Sequence, residues 1–258
     1  MAWTRTYEEA EPQRVNRWLA QSGVCSRREA DALIARGLVA IDGETVEDAG
    51  RKIQPGQTLV LNDEASSALG SAMTLMFHKP VGIVSSQPDP GQIPAVRLLT
   101  REALWGQSDA IPDRDSKLAP VGRLDMDSHG LLIMSEDGVV AKAVIGPESD
   151  LEKEYIVRMF GNVTDEKIAL LRHGLELDER QLRPAKVTVA GDNILRIILK
   201  EGRNRQIRRM AELVDLRVMD LMRVRVGPLT LGDLPEGRWR PLTAGERAAL
   251  IRDGAKPV

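Results

Sequence analysis

Gly122-Arg123-Leu124-Asp125-Met126-Asp127-Ser128-His129-Gly130 sets a carboxylate where apolar sequence gives way to a tight, glycine-closed loop. Val121 and Leu124 lead in, and Leu131-Leu132-Ile133-Met134 follows as a buried-type strand. An aspartate at such a junction either organises the loop through hydrogen bonds or acts as a nucleophile. The flanking chain must separate these readings.

Downstream, Lys153-Glu154-Tyr155 opens a strand running to Phe160, in which Tyr155, Val157 and Met159 share one side. Tyr155 reads either as a core tyrosine or as a flat platform for a base, with a phenol available for proton transfer. The chain has just two tyrosines, so a generic packing role carries less weight. Further on, Glu201-Gly202-Arg203-Asn204 forms a turn ahead of a helix over Arg205 to Val214. The helical step puts Arg205, Arg208 and Arg209 on one face and Ile207, Met210, Ala211 and Val214 on the other. That arginine face meets solvent, RNA phosphates or a carboxylate such as Asp125.

Upstream, residues 1–12 read as a polar, mobile arm. A short helix follows from Arg14, with Val15, Trp18 and Leu19 on its apolar side and Gly23 ending it. Ser26-Arg27-Arg28-Glu29 is a capping-box pattern for a second helix, striped by Ala30, Leu33 and Ile34 and closed by Gly37. Leu38 to Ile41 and Thr58 to Leu61 are strands, with turns at Asp42-Gly43 and Pro55-Gly56. Arg27 and Arg28 occupy a first helical turn, where the dipole disfavours cations by about 0.3–1 kcal/mol. With Arg14 and Arg17 nearby, the face is either a solvated basic surface or a phosphate site.

Residues 63–72, rich in Ala and Ser, read as a linker to a larger domain beginning at Met73. Extended pieces flank Lys79-Pro80. Residues 87–117, with four prolines, read as a long loop holding one short helix around Val96 to Leu104. Asp137-Gly138 is a turn, Val139 to Ile145 a helix, and Thr164 caps another helix that Gly174 stops. Val187 to Val189 and Ile194 to Leu199 are strands. The class is α+β: a small αα-β module, then a larger domain with a mixed, mainly antiparallel sheet flanked by helices.

The formal net charge of -2 over 258 residues gives no global sign of nucleic-acid binding, so any such claim rests on local clusters. One cysteine, Cys25, excludes an internal disulfide framework. His78, His129 and His173 lack metal-ligand spacing, so neither metal nor cofactor is expected. No apolar run is long enough for a membrane span, and no signal pattern opens the chain. A cytoplasmic monomer is expected.

Val15-Asn16-Arg17-Trp18-Leu19, Ser26-Arg27-Arg28-Glu29-Ala30, Gly37, Val39 and Asp42-Gly43 together resemble the S4 RNA-binding domain over residues 13–62. That resemblance implies binding to structured RNA through Arg14, Arg17, Ser26, Arg27 and Arg28. Four further stretches follow in order: Lys79-Pro80-Val81-Gly82-Ile83-Val84-Ser85, the Gly122–Gly130 segment, Lys153-Glu154-Tyr155, and Asn204-Arg205-Gln206-Ile207-Arg208-Arg209-Met210. Behind an S4-like module, they resemble the RsuA/RluB/RluE/RluF family of ribosomal RNA pseudouridine synthases over residues 13–245. They look most like its RluF branch, which acts on 23S rRNA.

The resemblance implies a catalytic domain over residues 73–250 and a structured stem-loop of 23S rRNA as partner. It makes Asp125 the catalytic aspartate, Tyr155 the residue that stacks on the uracil and moves its C5 proton, and Arg208 the ionic partner of Asp125. It gives RNA contacts to Arg123, Lys79, Lys153, Arg203, Asn204, Arg205, Gln206 and Arg209. Three other readings stay open: a non-catalytic ribosome-assembly factor, a synthase acting on 16S rRNA or tRNA, and a glycoside hydrolase pairing Asp125 with Asp127.

Overall fold

The apolar stripes of the two N-terminal helices are each too short to stand alone, and they share a core. In the computed structural model, which describes residues 3–113 and 115–254, α1 (Val15–Gln21) packs on α2 (Arg27–Ala35). Val15, Trp18 and Leu19 of α1 and Ala30, Leu33 and Ile34 of α2 are buried. The capping box forms: Ser26 Oγ accepts from the Glu29 N–H at 3.2 Å, and Glu29 Oε2 accepts from the Ser26 N–H at 2.6 Å. A four-stranded sheet completes the unit in the order Trp3–Thr6, Thr58–Leu61, Val39–Ile41, Glu44–Thr45.

Two expectations for this unit are corrected. The described part of residues 1–12 is not a mobile arm, since Trp3–Thr6 pairs antiparallel with Thr58–Leu61. Trp3 and Tyr7 set their rings edge-on to Trp18, with centroids 6.0 and 5.3 Å away. Burial of large rings outweighs the polarity of their neighbours. Residues 63–72 are not a bare linker either. Asn62 Oδ1 accepts from the Ala65 N–H at 2.8 Å and starts α3 (Asp63–Gly70), whose Ala65 joins the core. Cys25 lies in the same core, where burial pushes its thiol up to about 12.

Residues Ser135–Lys142 belong to this unit too. Asp137 makes no simple turn with Gly138: its Oδ1 accepts from the Val139 N–H at 2.8 Å, capping α4 (Gly138–Ile145). The Gly138 N–H donates to Glu29 Oε1 at 3.2 Å.

The second unit comprises Thr74–Met134 and the chain from Ala143 onward. Its nine-stranded sheet runs Lys186–Gly191, Ile194–Leu199, Lys153–Phe160, Arg217–Val226, His129–Ser135, Thr74–Lys79, Trp239–Pro241. Ala119–Val121 pairs with His129–Ser135, and Leu229–Thr230 with Arg217–Val226. His129–Ser135 is parallel to Arg217–Val226, while Lys153–Phe160 is antiparallel to both of its neighbours, so the sheet is mixed. Tyr155, Val157 and Met159 are buried, as alternation requires.

The central strand, Arg217–Val226, carries no clean period of two. It buries Val218, Leu221, Arg223 and Val226 because the register shifts twice against Lys153–Phe160, between Glu154 and Tyr155 and between Arg158 and Met159. Each shift leaves an extra residue on the central strand, first Val224 and then Met219, and turns a spacing of two into three. α5 (Asp165–Arg172), α6 (Gln206–Glu212) and α7 (Ala244–Gly254) flank the strands in sequence.

Residues 96–104 do not form the expected helix. A single 3-10 turn, Ala95–Leu98, is followed by chain tied to Trp239, whose Nε1 donates to the Thr100 carbonyl at 2.7 Å and whose carbonyl accepts from the Trp105 N–H at 2.7 Å.

Gly130 lies opposite Arg223 with φ at +104°, and a Cβ there would sit 2.3 Å from the Arg223 carbonyl oxygen. Gly130→Ala should therefore lower the unfolding free energy by about 1–3 kcal/mol in urea titration. Gly70→Ala, helical and with open space around it, should leave stability unchanged or raise it by up to about 1 kcal/mol.

Candidate active site

The loop that carries Asp125 is held through its backbone carbonyls. Five consecutive oxygens each take a different donor: Arg223 Nη1 on Arg123 at 3.3 Å, Ser85 Oγ on Leu124 at 2.6 Å, Ser128 N–H on Asp125 at 3.1 Å, Gly82 N–H on Met126 at 2.8 Å and Arg208 Nη2 on Asp127 at 2.7 Å. Ser85 Oγ also accepts from the Leu124 N–H at 2.9 Å, and so grips both backbone groups of one residue. The Lys79–Ser85 stretch thus acts as a brace for the loop. Gly82 reaches it from a left-handed turn, φ +86°.

Lys79 belongs to that brace and not to an RNA surface. It is fully buried, and its Nζ donates to the Pro80 and Ile83 carbonyls at 2.8 and 2.7 Å. Burial pulls its pKa down to about 8 despite the opposing charges of Asp125 and Asp127.

The ion pairs differ from expectation. Arg208, expected beside Asp125, meets Asp127 Oδ1 at 3.2 Å and Ser128 Oγ at 3.2 Å. Arg205 approaches Asp125, with Nη1 to Oδ2 at 3.6 Å, and also grips Asp127 with both Nη atoms at 3.2 and 3.0 Å. The reason lies in the backbone. Arg205 is not helical; it is the left-handed N-cap of α6, φ 48° and ψ 34°. Its side chain therefore leaves the ridge that a continuous helix would have shared with Arg208. Such a conformation costs a non-glycine residue about 1 kcal/mol or more, which the two acidic partners offset. Burial works to raise the Asp127 carboxyl, yet the Arg205 hydrogen bond and the charges of Arg208 and Arg205 hold it below the ordinary aspartate range.

Tyr155 lies directly across from Arg223, at one of the register shifts, and Arg223 lies directly across from Gly130. Three central strands thus carry Tyr155, Arg223 and the end of the Asp125 loop side by side. The Arg223 side chain is buried, and its Nε donates to the Leu131 carbonyl at 2.7 Å. Its Nη2 is buried without an acceptor among the described residues. Sequence reading missed this arginine. Its one signal is a cation in the buried phase of a strand whose periodicity the bulges obscure.

These residues line a cleft of about 790 Å³. Arg123, Lys153, Arg183, Lys200, Arg203, Arg205, Arg208 and Arg223 face it against the acids Asp125 and Glu201, a strongly positive lining in a chain of net charge -2. Asp125 keeps a third of its side chain exposed there. Lys153 is driven below the ordinary lysine range by burial first and then by the charges of Arg223 and Arg183.

Several expected RNA contacts have other partners. Arg203 lines the cleft but donates to the Leu177, Arg180 and Gln181 carbonyls, clamping the hairpin Glu176–Leu177/Arg180–Gln181. Arg209 is outside the cleft and holds both oxygens of Asp178, at 3.0 and 2.6 Å. Gln206 is buried and bonds Glu201 Oε1 and the Arg203 N–H. Arg123 and Asn204 are exposed at the cleft. Ser26 is occupied by its capping box. In the first unit, Arg17, Arg27, Arg28 and Lys142 line a groove of about 520 Å³ that contains no carboxylate, while Arg14 is exposed outside it.

The family model for RNA pseudouridylate synthase matches residues 73–213, the stretch that holds the brace, the Asp125 loop, Tyr155 and α6. The chain belongs to the RNA pseudouridylate synthase family. The S4 domain model matches residues 13–59 of the same synthase. Among curated relatives, the dual-specificity RNA pseudouridine synthase RluF of Escherichia coli O6:H1 is 33% identical over 93% of this chain and 78% of its own. Ribosomal large subunit pseudouridine synthase B of Yersinia pestis is 32% identical over 89% and 72%. A solved pseudouridylate synthase superposes with TM-score 0.63 at 25% identity, over 92% of this chain and 99% of its own. The RsuA-type resemblance read from the motifs is thereby shown, and this synthase is an enzyme of that kind.

Ser85→Ala would strip two bonds from buried Leu124 and should cost about 1–3 kcal/mol, read as a lowered urea midpoint with unchanged slope. For Asp127 the sign follows from its lowered folded pKa. The unfolded chain binds more protons in the acid range, so stability from the Arg205 pairing is full above the ordinary aspartate value and is lost as pH falls through the lowered one. Wild type should exceed Asp127→Asn by up to about 1 kcal/mol at neutral pH, since the pair is partly exposed, and urea titrations should show the gap closing as the pH falls below the ordinary aspartate range.

Proposed function

We propose that this synthase converts a uridine of ribosomal RNA, in the 23S molecule, to pseudouridine, with Asp125 acting at the sugar. The observation that carries the proposal is the shared cleft: Asp125, Tyr155 and a surplus of cations line one cavity in the domain that matches the family. The names of the relatives, one a ribosomal large-subunit synthase, support the choice of substrate.

The reaction breaks N1–C1′, turns the base and joins C5 to C1′. The proton lost from C5 is balanced by one gained at N1. A uridine within a stem must first be extruded, at a cost of a few kcal/mol. Tyr155 replaces the lost stacking, which is worth about 1–3 kcal/mol per base, and moves the C5 proton. Arg205 stands beside Asp125, Nη1 to Oδ2 at 3.6 Å, and Arg208 fixes Asp127 and Ser128 behind it. Arg123, Lys153 and Asn204 receive the backbone. In the first unit, the cationic groove of Arg17, Arg27 and Arg28 binds flanking RNA, with Arg14 beside it. The enzyme acts as a cytoplasmic monomer; no described helix is long and apolar enough to cross a membrane.

On RNA carrying C5-tritiated uridine, Asp125→Asn should release no label while keeping its affinity for that RNA. Near-normal release by this variant would sink the assignment. Replacing Arg27 and Arg28 by Ala should weaken RNA binding and flatten its salt dependence by about 1–2 in log–log slope, leaving turnover at saturating RNA unchanged. Pseudouridine mapping in cells with and without the gene identifies the substrate; loss from 23S rRNA is the expected result.

A further inference from the structure

His78, His129 and Glu236 come from three separate stretches of the second unit, and the Asp125 cleft includes none of them. One ligand atom from each lies within 4.8 Å of the other two. The imidazoles are near-parallel, 17° apart, with centroids 6.0 Å apart.

Their hydrogen bonds fix their protons. His78 Nδ1 is 2.8 Å from the Leu234 carbonyl, which only accepts, so Nδ1 carries the hydrogen. His129 Nε2 is 3.1 Å from Asp220 Oδ1, so Nε2 carries that ring's hydrogen. In the neutral rings, His78 Nε2 and His129 Nδ1 are then bare lone pairs. Both are buried without a partner among the described residues, and the His78 side chain is enclosed in a residue only 7% exposed. The third group is a carboxylate. With neutral rings, three acceptors thus converge with no hydrogen between them, an arrangement suited to a cation.

We propose that His78, His129 and Glu236 form a binding site for a divalent ion that prefers imidazole, of the Zn²⁺ class. Two imidazoles and a carboxylate are a known ligand set for such ions, with a fourth position left to water. The outer partners fit as well: metal-bound histidines usually donate their second N–H to a carbonyl or carboxylate, as Leu234 and Asp220 accept here. Bonds of about 2.0–2.1 Å to the ion would draw the donor atoms together by roughly 1 Å, through a rotamer change of exposed Glu236 and small shifts of the two rings. The ion would tie the end of Thr74–Lys79 and the turn before Trp239–Pro241 to the start of His129–Ser135, just behind the Asp125 loop.

The test uses tag-free, full-length protein stripped with a chelator and titrated calorimetrically with Zn²⁺, with Co²⁺ as an optical probe. The expected result is one saturating equivalent, a higher unfolding temperature, and visible Co²⁺ absorption of the tetrahedral type. His129→Gln should abolish uptake, Glu236→Gln should weaken it, and Asp220→Asn should weaken it about tenfold to hundredfold. Glu236 is exposed, so its variant keeps the test valid should the histidine variant fail to fold. No stoichiometric uptake by wild type, or uptake unchanged in Glu236→Gln, would overturn the site.

Discussion

The row of carbonyl oxygens from Arg123 to Asp127 holds the rest of the site in place. Each is taken by a donor from a different residue, and four of the five donors, Gly82, Ser85, Arg208 and Arg223, come from outside the loop. A loop fixed in this way resists displacement, because moving it breaks several backbone bonds at once and leaves the buried Leu124 groups unpaired at about 1–3 kcal/mol each. Asp125 therefore owes its position to its neighbours' backbone more than to its own side chain. The carboxylate faces the cleft with Arg205 beside it.

The same economy governs the arginines. Arg203 and Arg209 hold a hairpin, Arg205 and Arg208 hold acids of the loop, and Arg223 joins two strands to it. Guanidiniums are suited to this because their planar donors meet carbonyls and carboxylates in a fixed fork. The cleft is thus positive before any substrate arrives, and its charges are already oriented. Electrostatic stabilisation of this preorganised kind needs no rearrangement at the moment of reaction.

Much of the architecture was legible because its causes are local. Ser26 and Glu29 form a capping box from four adjacent residues, Thr164 caps α5 with its own first turn, and Tyr155, Val157 and Met159 alternate into the core. What escaped was decided through space. Trp3 and Tyr7 look polar in context until Trp18 covers them. Val224 and Met219 hide the central strand because bulges against its neighbour break the period.

The sequence by itself determined the domain order, the helix caps, the α+β class and the set of residues with chemistry to offer, since each depends on spacing along one short segment. Tertiary structure decided which of them meet. Arg205, and not Arg208, stands beside Asp125 because one left-handed residue redirects a side chain. Lys79 is a brace because two carbonyls enclose it. His78, His129 and Glu236 lie far apart in the chain, and only strand order brings their lone pairs to one point.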